Sequence, residues 1–83
     1  MNDWLVYLVR CADNSIYCGA TNNVENRVAV HNKGKGAKYT KTRRPVVLLE
    51  TSRLMAKGDA LKLEHQVKKQ KKDRKVEYLR EYK

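Results

Sequence analysis

Acidic residues are scarce in this sequence. Only 9 Asp+Glu stand against 19 Lys+Arg, which leaves a formal net charge of +10. On a small body this surplus makes a positive field reaching about a Debye length, roughly 8 Å in physiological salt. Polyanions are the natural partner, since solubility alone needs a net charge of only about 2–8 of either sign. Long apolar runs are also lacking. None approaches the roughly 18 residues a membrane span needs, so no membrane association is expected. Asp3 and Trp4 stand where a basic segment should lead into an apolar signal stretch, so no signal peptide is predicted. Cysteine is limited to Cys11 and Cys18. Two cysteines without a secretory signal do not make a disulfide framework. Reduced, partly buried thiols in a cytoplasmic protein are expected. A zinc site from Cys11, Cys18, His31 and His65 has little support, because the spacings match no common zinc pattern.

What is present reads as one domain over residues 1–83. So short a chain buries only about 60% of its unfolded surface. A shallow groove or sheet-surface site is therefore expected rather than a deep small-molecule pocket. No repeat, linker or low-complexity segment is visible.

Trp4 to Cys11 is apolar on both alternating faces, the pattern of a central strand. Ala12-Asp13-Asn14 is a turn, and Ser15 to Ala20 a second strand, so the pair forms a hairpin. Asn22 is the expected N-cap of a helix, with Glu25 as capping-box partner. Val24 and Val28 give that helix a narrow apolar stripe, and Gly34 ends it. Residues 33–44 hold six Lys/Arg and no acid, and read as a basic loop. A third strand follows, Val46 to Thr51, opened by Pro45, which need not donate to the ladder. Asp59 is the expected cap of a second helix to about Gln70. Asp73 is the expected cap of a third, with Val76 and Leu79 turned inward. The order β-β-α-β-α-α predicts an α+β domain with a small antiparallel sheet.

One acid resists a purely structural reading. At 100° per residue, Ala60, Leu61, Leu63 and Val67 make the apolar face of the second helix. Glu64 lies about 45–50° from the centre of that stripe. A carboxylate there is costly unless it is paired or binds a cation. A salt bridge to Lys or Arg is one resolution, and a hard-metal ligand facing a phosphate is the other. On the first helix, Arg27 and His31 are four apart and share a face beside the Val24/Val28 stripe. An Arg can clamp a phosphate bidentately, and a His can move a proton near neutral pH. Tyr7 and Tyr17 lie in the hairpin strands, where aromatics also pack well as core.

These residues carry a resemblance. Leu5-Val6-Tyr7, nine residues, then Tyr17-Cys18-Gly19, then Arg27, His31 and Glu64, resembles the GIY-YIG nuclease family. The likeness spans nearly the whole chain. It is nearest to the small single-domain bacterial members, whose pattern includes a segment like Gly34 to Thr40 followed by Arg44-Pro45. The resemblance implies a three-stranded antiparallel sheet flanked by helices. It implies a divalent-metal-dependent endonuclease acting on nucleic acid, DNA before RNA, with Mg²⁺ or Mn²⁺ held at Glu64. Arg27 falls where the family contacts the scissile phosphate. Tyr7 and Tyr17 fall on the two motif tyrosines, His31 on a position that assists proton transfer, and Gly19 on the motif glycine. Several members place a Lys just after that glycine, where this chain has Ala20. Either tyrosine could act as the base, provided neighbouring cations favour phenolate.

The basic segments fit the same reading. Lys35, Lys38, Tyr39, Lys41, Arg43, Arg44 and Lys68 are candidate nucleic-acid contacts, with Tyr39 able to meet a backbone or stack on a base. A non-catalytic nucleic-acid-binding module on the same fold is the alternative. A monomer is expected, and a protein partner is unspecified. The hairpin supplies a test. A two-residue Asp13-Asn14 loop would put Tyr7 and Tyr17 on opposite faces. A three-residue loop with Asn14 left-handed puts both on the face of Gly19.

Overall fold

The computed structural model describes residues 2–83. The first strand, β1 (Leu5–Arg10), is central. It pairs antiparallel with β2 (Ile16–Thr21) on one side and β3 (Val47–Thr51) on the other. Val6, Leu8, Tyr7 and Val9 are all buried, so both faces of β1 are covered, as its unbroken apolar run requires.

The hairpin loop has three residues. Cys11 N–H donates to Ser15 O at 2.8 Å, Asn14 N–H donates to Cys11 O at 3.0 Å, and Asn14 has φ 68°. Asparagine tolerates this left-handed conformation better than most side chains do. The register follows: Tyr7 opposes Gly19 and Val9 opposes Tyr17. Cross-strand partners share a face, so Tyr7, Tyr17 and Gly19 lie together.

Helix α1 (Val24–Asn32) is capped by Asn23, whose side chain accepts from Asn26 N–H at 3.1 Å. The expected Asn22/Glu25 capping box is thus displaced by one residue. The cause is Thr21, still in β2, whose hydroxyl accepts Asn23 N–H at 3.1 Å and turns the chain one residue later. Glu25 stays in the first turn, where it complements the helix dipole. Gly34, at φ 78°, ends the helix as expected, with Lys33 N–H and Lys35 N–H closing on Ala29 O and Val30 O.

The basic segment is not all loop. Lys38–Lys41 forms one helical turn, α2, whose Thr40 is fully buried. The third strand also starts later than predicted. The Asn32 side chain takes Val46 N–H at 2.7 Å and gives to Val46 O at 3.1 Å, so the sheet ladder begins at Val47.

Helices α3 (Lys57–Lys68) and α4 (Lys72–Arg80) begin at Ala56 and Lys71, without side-chain caps. Asp59 and Asp73 are therefore not caps. They lie in the first turns, where their charge meets the exposed N–H groups. Ala60, Leu63, Val67 and Leu79 from these helices pack on Val6, Leu8 and Cys18. Each fully buried aliphatic there contributes about 1.5–3 kcal/mol. Glu50 on β3 accepts from Arg80 Nε at 3.1 Å and Lys83 Nζ at 3.2 Å, which ties the C-terminal end to the sheet. The opposite sheet face carries a second cluster of Tyr7, Val9, Cys11 and Val46, flanked by Leu5, Tyr17, Val24 and Val28. Among the described residues, no helix is long and apolar enough to cross a membrane.

Candidate active site

The second cluster is where polar side chains enter the interior. Tyr7 comes from β1 and His31 from the last turn of α1, and the Tyr7 hydroxyl lies 2.8 Å from His31 Nε2. On the other side of the imidazole, Nδ1 lies 2.7 Å from Thr40 Oγ1. Thr40 Oγ1 in turn donates to Ala37 O at 3.0 Å. Tyr7 is 1% exposed, and His31 and Thr40 are 0%. Every member of this buried row has a hydrogen-bond partner, which burial demands.

Two glycines make room for it. A Cβ on Gly19 would stand 2.6 Å from Tyr7 Cζ, and one on Gly36 would stand 2.9 Å from His31 Cε1. Gly19 thus fits the phenol against β2, and Gly36 fits the chain against the imidazole.

Burial pushes the Tyr7 hydroxyl up to about 12, although the neighbouring Arg27 guanidinium pulls the other way. Burial holds His31 below the usual histidine range, and the charge of Arg27 adds to that. Both effects favour the neutral forms. At neutral pH the pair is a protonated phenol facing an uncharged imidazole.

Tyr17 extends the cluster outward. Its ring meets His31 edge-on at 5.4 Å between centroids and stacks on Tyr39 at 5.9 Å. Arg43 also lies over Tyr39, with its guanidinium carbon 4.0 Å from the ring centroid. Tyr39 nevertheless remains exposed. Arg43 is anchored by Asp13 at 3.0 Å and by Tyr39 O at 2.8 Å.

Glu64 is linked to the cluster through Lys68 at the β2 edge. Its helix packs on the opposite sheet face, but β2 is an edge strand, and Glu64 O lies 4.0 Å from Cys18 Sγ beside it. The Glu64 side chain is 18% exposed and pairs with Lys68 at 2.9 Å, the i,i+4 salt bridge expected as one resolution of its placement. Lys68 Nζ lies 6.0 Å from the Tyr17 ring centroid, so the acid, the lysine and the tyrosine are neighbours. Glu64 raises the Lys68 ammonium pKa, chiefly by accepting its hydrogen bond.

The remaining basic residues divide into two sets. Lys35, Lys38 and Lys41 are exposed. Arg44 donates to Lys41 O at 3.0 Å and to Asn32 O at 3.5 Å, so it closes the loop as well as carrying charge. Cys11 and Cys18 are free and buried on opposite sheet faces, and among the described residues no three His, Cys, Asp or Glu side chains cluster. The four-residue zinc site therefore does not form. Thr40 and Gly36 are the site residues that the residue patterns did not single out. The close Gly34/Gly36 spacing was the only signal that this loop packs tightly.

The sequence pattern of the GIY-YIG catalytic domain matches residues 3–77. The chain belongs to the GIY-YIG family. A UPF0213 protein of Staphylococcus haemolyticus is 50% identical over 76 residues, covering 92% of this chain and 93% of the relative. A UPF0213 protein of Nitratidesulfovibrio vulgaris is 45% identical over 73 residues, covering 88% of this chain and 66% of its own length. The solution NMR structure of an E. faecalis protein, 38% identical, superposes with a TM-score of 0.62 over 94% of this chain and 83% of that one. The sheet and the order of the main helices of this GIY-YIG domain are those expected from its sequence, with the one-turn α2 added.

The depressed His31 pKa has a consequence for the stability of the GIY-YIG domain. The unfolded histidine titrates near 6.5 and the folded one lower. As pH falls through 6.5, the unfolded chain binds a proton that the folded chain refuses, so stability drops until the folded pKa is reached. Thermal melts should show Tm falling between about pH 7.5 and about pH 5.5, and His31→Gln should flatten that slope. An unchanged slope in the variant would assign the effect to another group.

Proposed function

We propose that this GIY-YIG domain is a divalent-metal-dependent endonuclease that hydrolyses a phosphodiester bond in nucleic acid, with DNA the expected substrate. The observation that carries this reading is the buried Tyr7–His31 hydrogen bond beside Arg27, with Glu64 around the β2 edge. A buried tyrosine hydroxyl needs some acceptor, and here the acceptor is an uncharged imidazole that is also able to take up its proton.

Glu64 suits Mg²⁺ or Mn²⁺. It is a hard carboxylate outside any cluster of three His, Cys, Asp or Glu among the described residues, and Mg²⁺ is commonly held by one or two carboxylates with waters and substrate phosphate completing its shell. Lys68 must release Glu64 Oε2 for this, which is a modest demand because the lysine is half exposed and helix pairs at this spacing contribute only about 0.3–0.5 kcal/mol. When bound, the metal neutralises charge on the phosphate and the leaving oxygen.

The chain's own residues supply the rest. Arg27 binds the phosphate and stabilises negative charge growing on it. Tyr7 takes the proton of the attacking water as its own proton passes to His31 Nε2. With a pKa near 12, free Tyr7 phenolate is rare at pH 7, so the concerted hand-over to His31 is what makes Tyr7 usable. Tyr17, packed on His31, shields the pair. Lys35, Lys38 and Lys41 form the exposed cationic surface for the polymer backbone, supported by Arg43, Arg44 and Lys68.

Labelled single-stranded, duplex and branched DNA, with Mg²⁺ or Mn²⁺, test this directly. Tyr7→Phe should slow cleavage by about 10²–10⁴-fold while affinity for the polymer holds. Undiminished cleavage would remove Tyr7 from the chemistry. A second reading, a binding module without catalysis, draws on Ala20 and on Lys68 already occupying Glu64. It predicts salt-sensitive binding with no product on any substrate.

A further inference from the structure

Thr40 has no part in the mechanism above, yet it is fully buried and in contact with the imidazole. We propose that Thr40 is a positioning residue that fixes His31 as the Nδ1–H tautomer, so that the Nε2 lone pair faces the Tyr7 hydroxyl. The inference rests on the nuclease reading for its purpose, but not for its geometry.

The hydrogens decide the matter. Three protons lie along the row: one on Thr40 Oγ1, one on the neutral imidazole and one on Tyr7 Oη. With the ring proton on Nδ1, Thr40 donates to Ala37 O, His31 Nδ1–H donates to Thr40 Oγ1, and Tyr7 donates to His31 Nε2. All three protons find acceptors. With the ring proton on Nε2, Thr40 must donate to Nδ1 and His31 must donate to Tyr7 Oη. The Tyr7 proton then has no acceptor among its hydrogen-bonded neighbours, because its partner His31 is itself donating and the nearby Arg27 only donates. Tyr7 is 1% exposed, so bulk solvent does not supply that acceptor in the free domain, and the water of the mechanism has to be brought in with the substrate. A buried donor without a partner is among the costliest defects a fold carries.

Only the first arrangement lets the tyrosine shed its proton inward. Ala37 O is the anchor of the row. It is held in turn by Thr40 N–H at 3.1 Å, so one carbonyl orients both the backbone and the hydroxyl of Thr40. This explains why the basic segment contains a helical turn at all. Lys38–Lys41 places Thr40 three residues after Ala37, and Gly36 lets the chain run close against the ring. A hydroxyl is required, and valine has the same shape without it.

Nitrogen NMR of the His31 ring, in the full chain, reads the tautomer directly. Wild type should show a protonated Nδ1 and an unprotonated Nε2, and Thr40→Ser should keep that pattern. Thr40→Val should lose that single pattern and show both ring nitrogens partly protonated, since Nδ1–H then lacks an acceptor and the other tautomer leaves the Tyr7 proton without one. Cleavage by Thr40→Val should fall at least tenfold in kcat with KM unchanged, and Thr40→Ser should restore most of it. A wild-type ring protonated on Nε2 would overturn the proposal even if Thr40→Val fails to fold. So would a Thr40→Val ring that keeps the wild-type pattern alone, or undiminished cleavage by that variant. If wild type cleaves nothing but the tautomer behaves as stated, the nuclease reading fails and the positioning by Thr40 stands.

Discussion

Glu64→Gln should cut the cleavage rate by about a hundredfold or more while nucleic-acid binding is kept. Glutamine preserves the shape of the side chain and removes its charge. The fold should barely respond, because the lost Lys68 pair is half exposed on the lysine side and contributes only about 0.3–0.5 kcal/mol. Binding should hold or tighten slightly, since removing an acid and freeing Lys68 both raise the positive potential facing the polymer. Chemistry is what should suffer, because a neutral amide is a weak ligand for a hard divalent cation. Single-turnover cleavage, a binding titration and a thermal melt on the same preparation separate the three effects. Wild-type cleavage by this variant would place the metal elsewhere or dispense with it.

Gly19→Ala should be damaging in a different way, to fold and rate together. The new Cβ would lie 2.6 Å from Tyr7 Cζ, well inside van der Waals contact. Tyr7 has little freedom to retreat, because β1 is central and the hydroxyl is bonded to His31. Overpacking of this kind costs about 1–3 kcal/mol. In a domain this size, each kcal/mol lowers Tm by about 4–8 °C. Any shift that relieves the clash also lengthens the Tyr7–His31 bond, so the rate should fall about a hundredfold or more besides. Gly58→Ala is the control. It adds a methyl group in the first turn of α3 with nothing within 4 Å of its Cβ, and should stabilise by up to about 1 kcal/mol. Equal melts for the two variants would mean that Tyr7 yields to the added methyl group at no cost.

The sheet was well encoded in local chemistry. Trp4 to Cys11 could only be a strand covered on both sides, and Asn14 suited the left-handed position that sets the register of the two tyrosines. The helix starts were less legible. Asn22 and Asn23 are equally good caps in isolation, and Thr21 chooses between them through a contact that depends on where β2 ends. Asp59 and Asp73 mark first turns but not caps, because a carboxylate favours the whole first turn electrostatically. Within the site, Glu64 stood out because charge on an apolar stripe is conspicuous, and its pairing with Lys68 is a matter of helical spacing. Thr40 did not stand out. It sits in a stretch crowded with cations, and its burial comes from a tertiary contact with His31 that no periodicity announces.

Tyr7 has a second employment beyond any chemistry. It belongs to the same packed cluster as Val9, Cys11 and Val46, and His31 is as completely enclosed as any aliphatic side chain here. A descendant that gave up hydrolysis would still require both residues to stay folded. Their presence in a homologous sequence is therefore poor testimony that the homologue cuts anything. Glu64 gives better testimony, because its carboxylate supports little of the architecture and would drift freely once no cation had to be held.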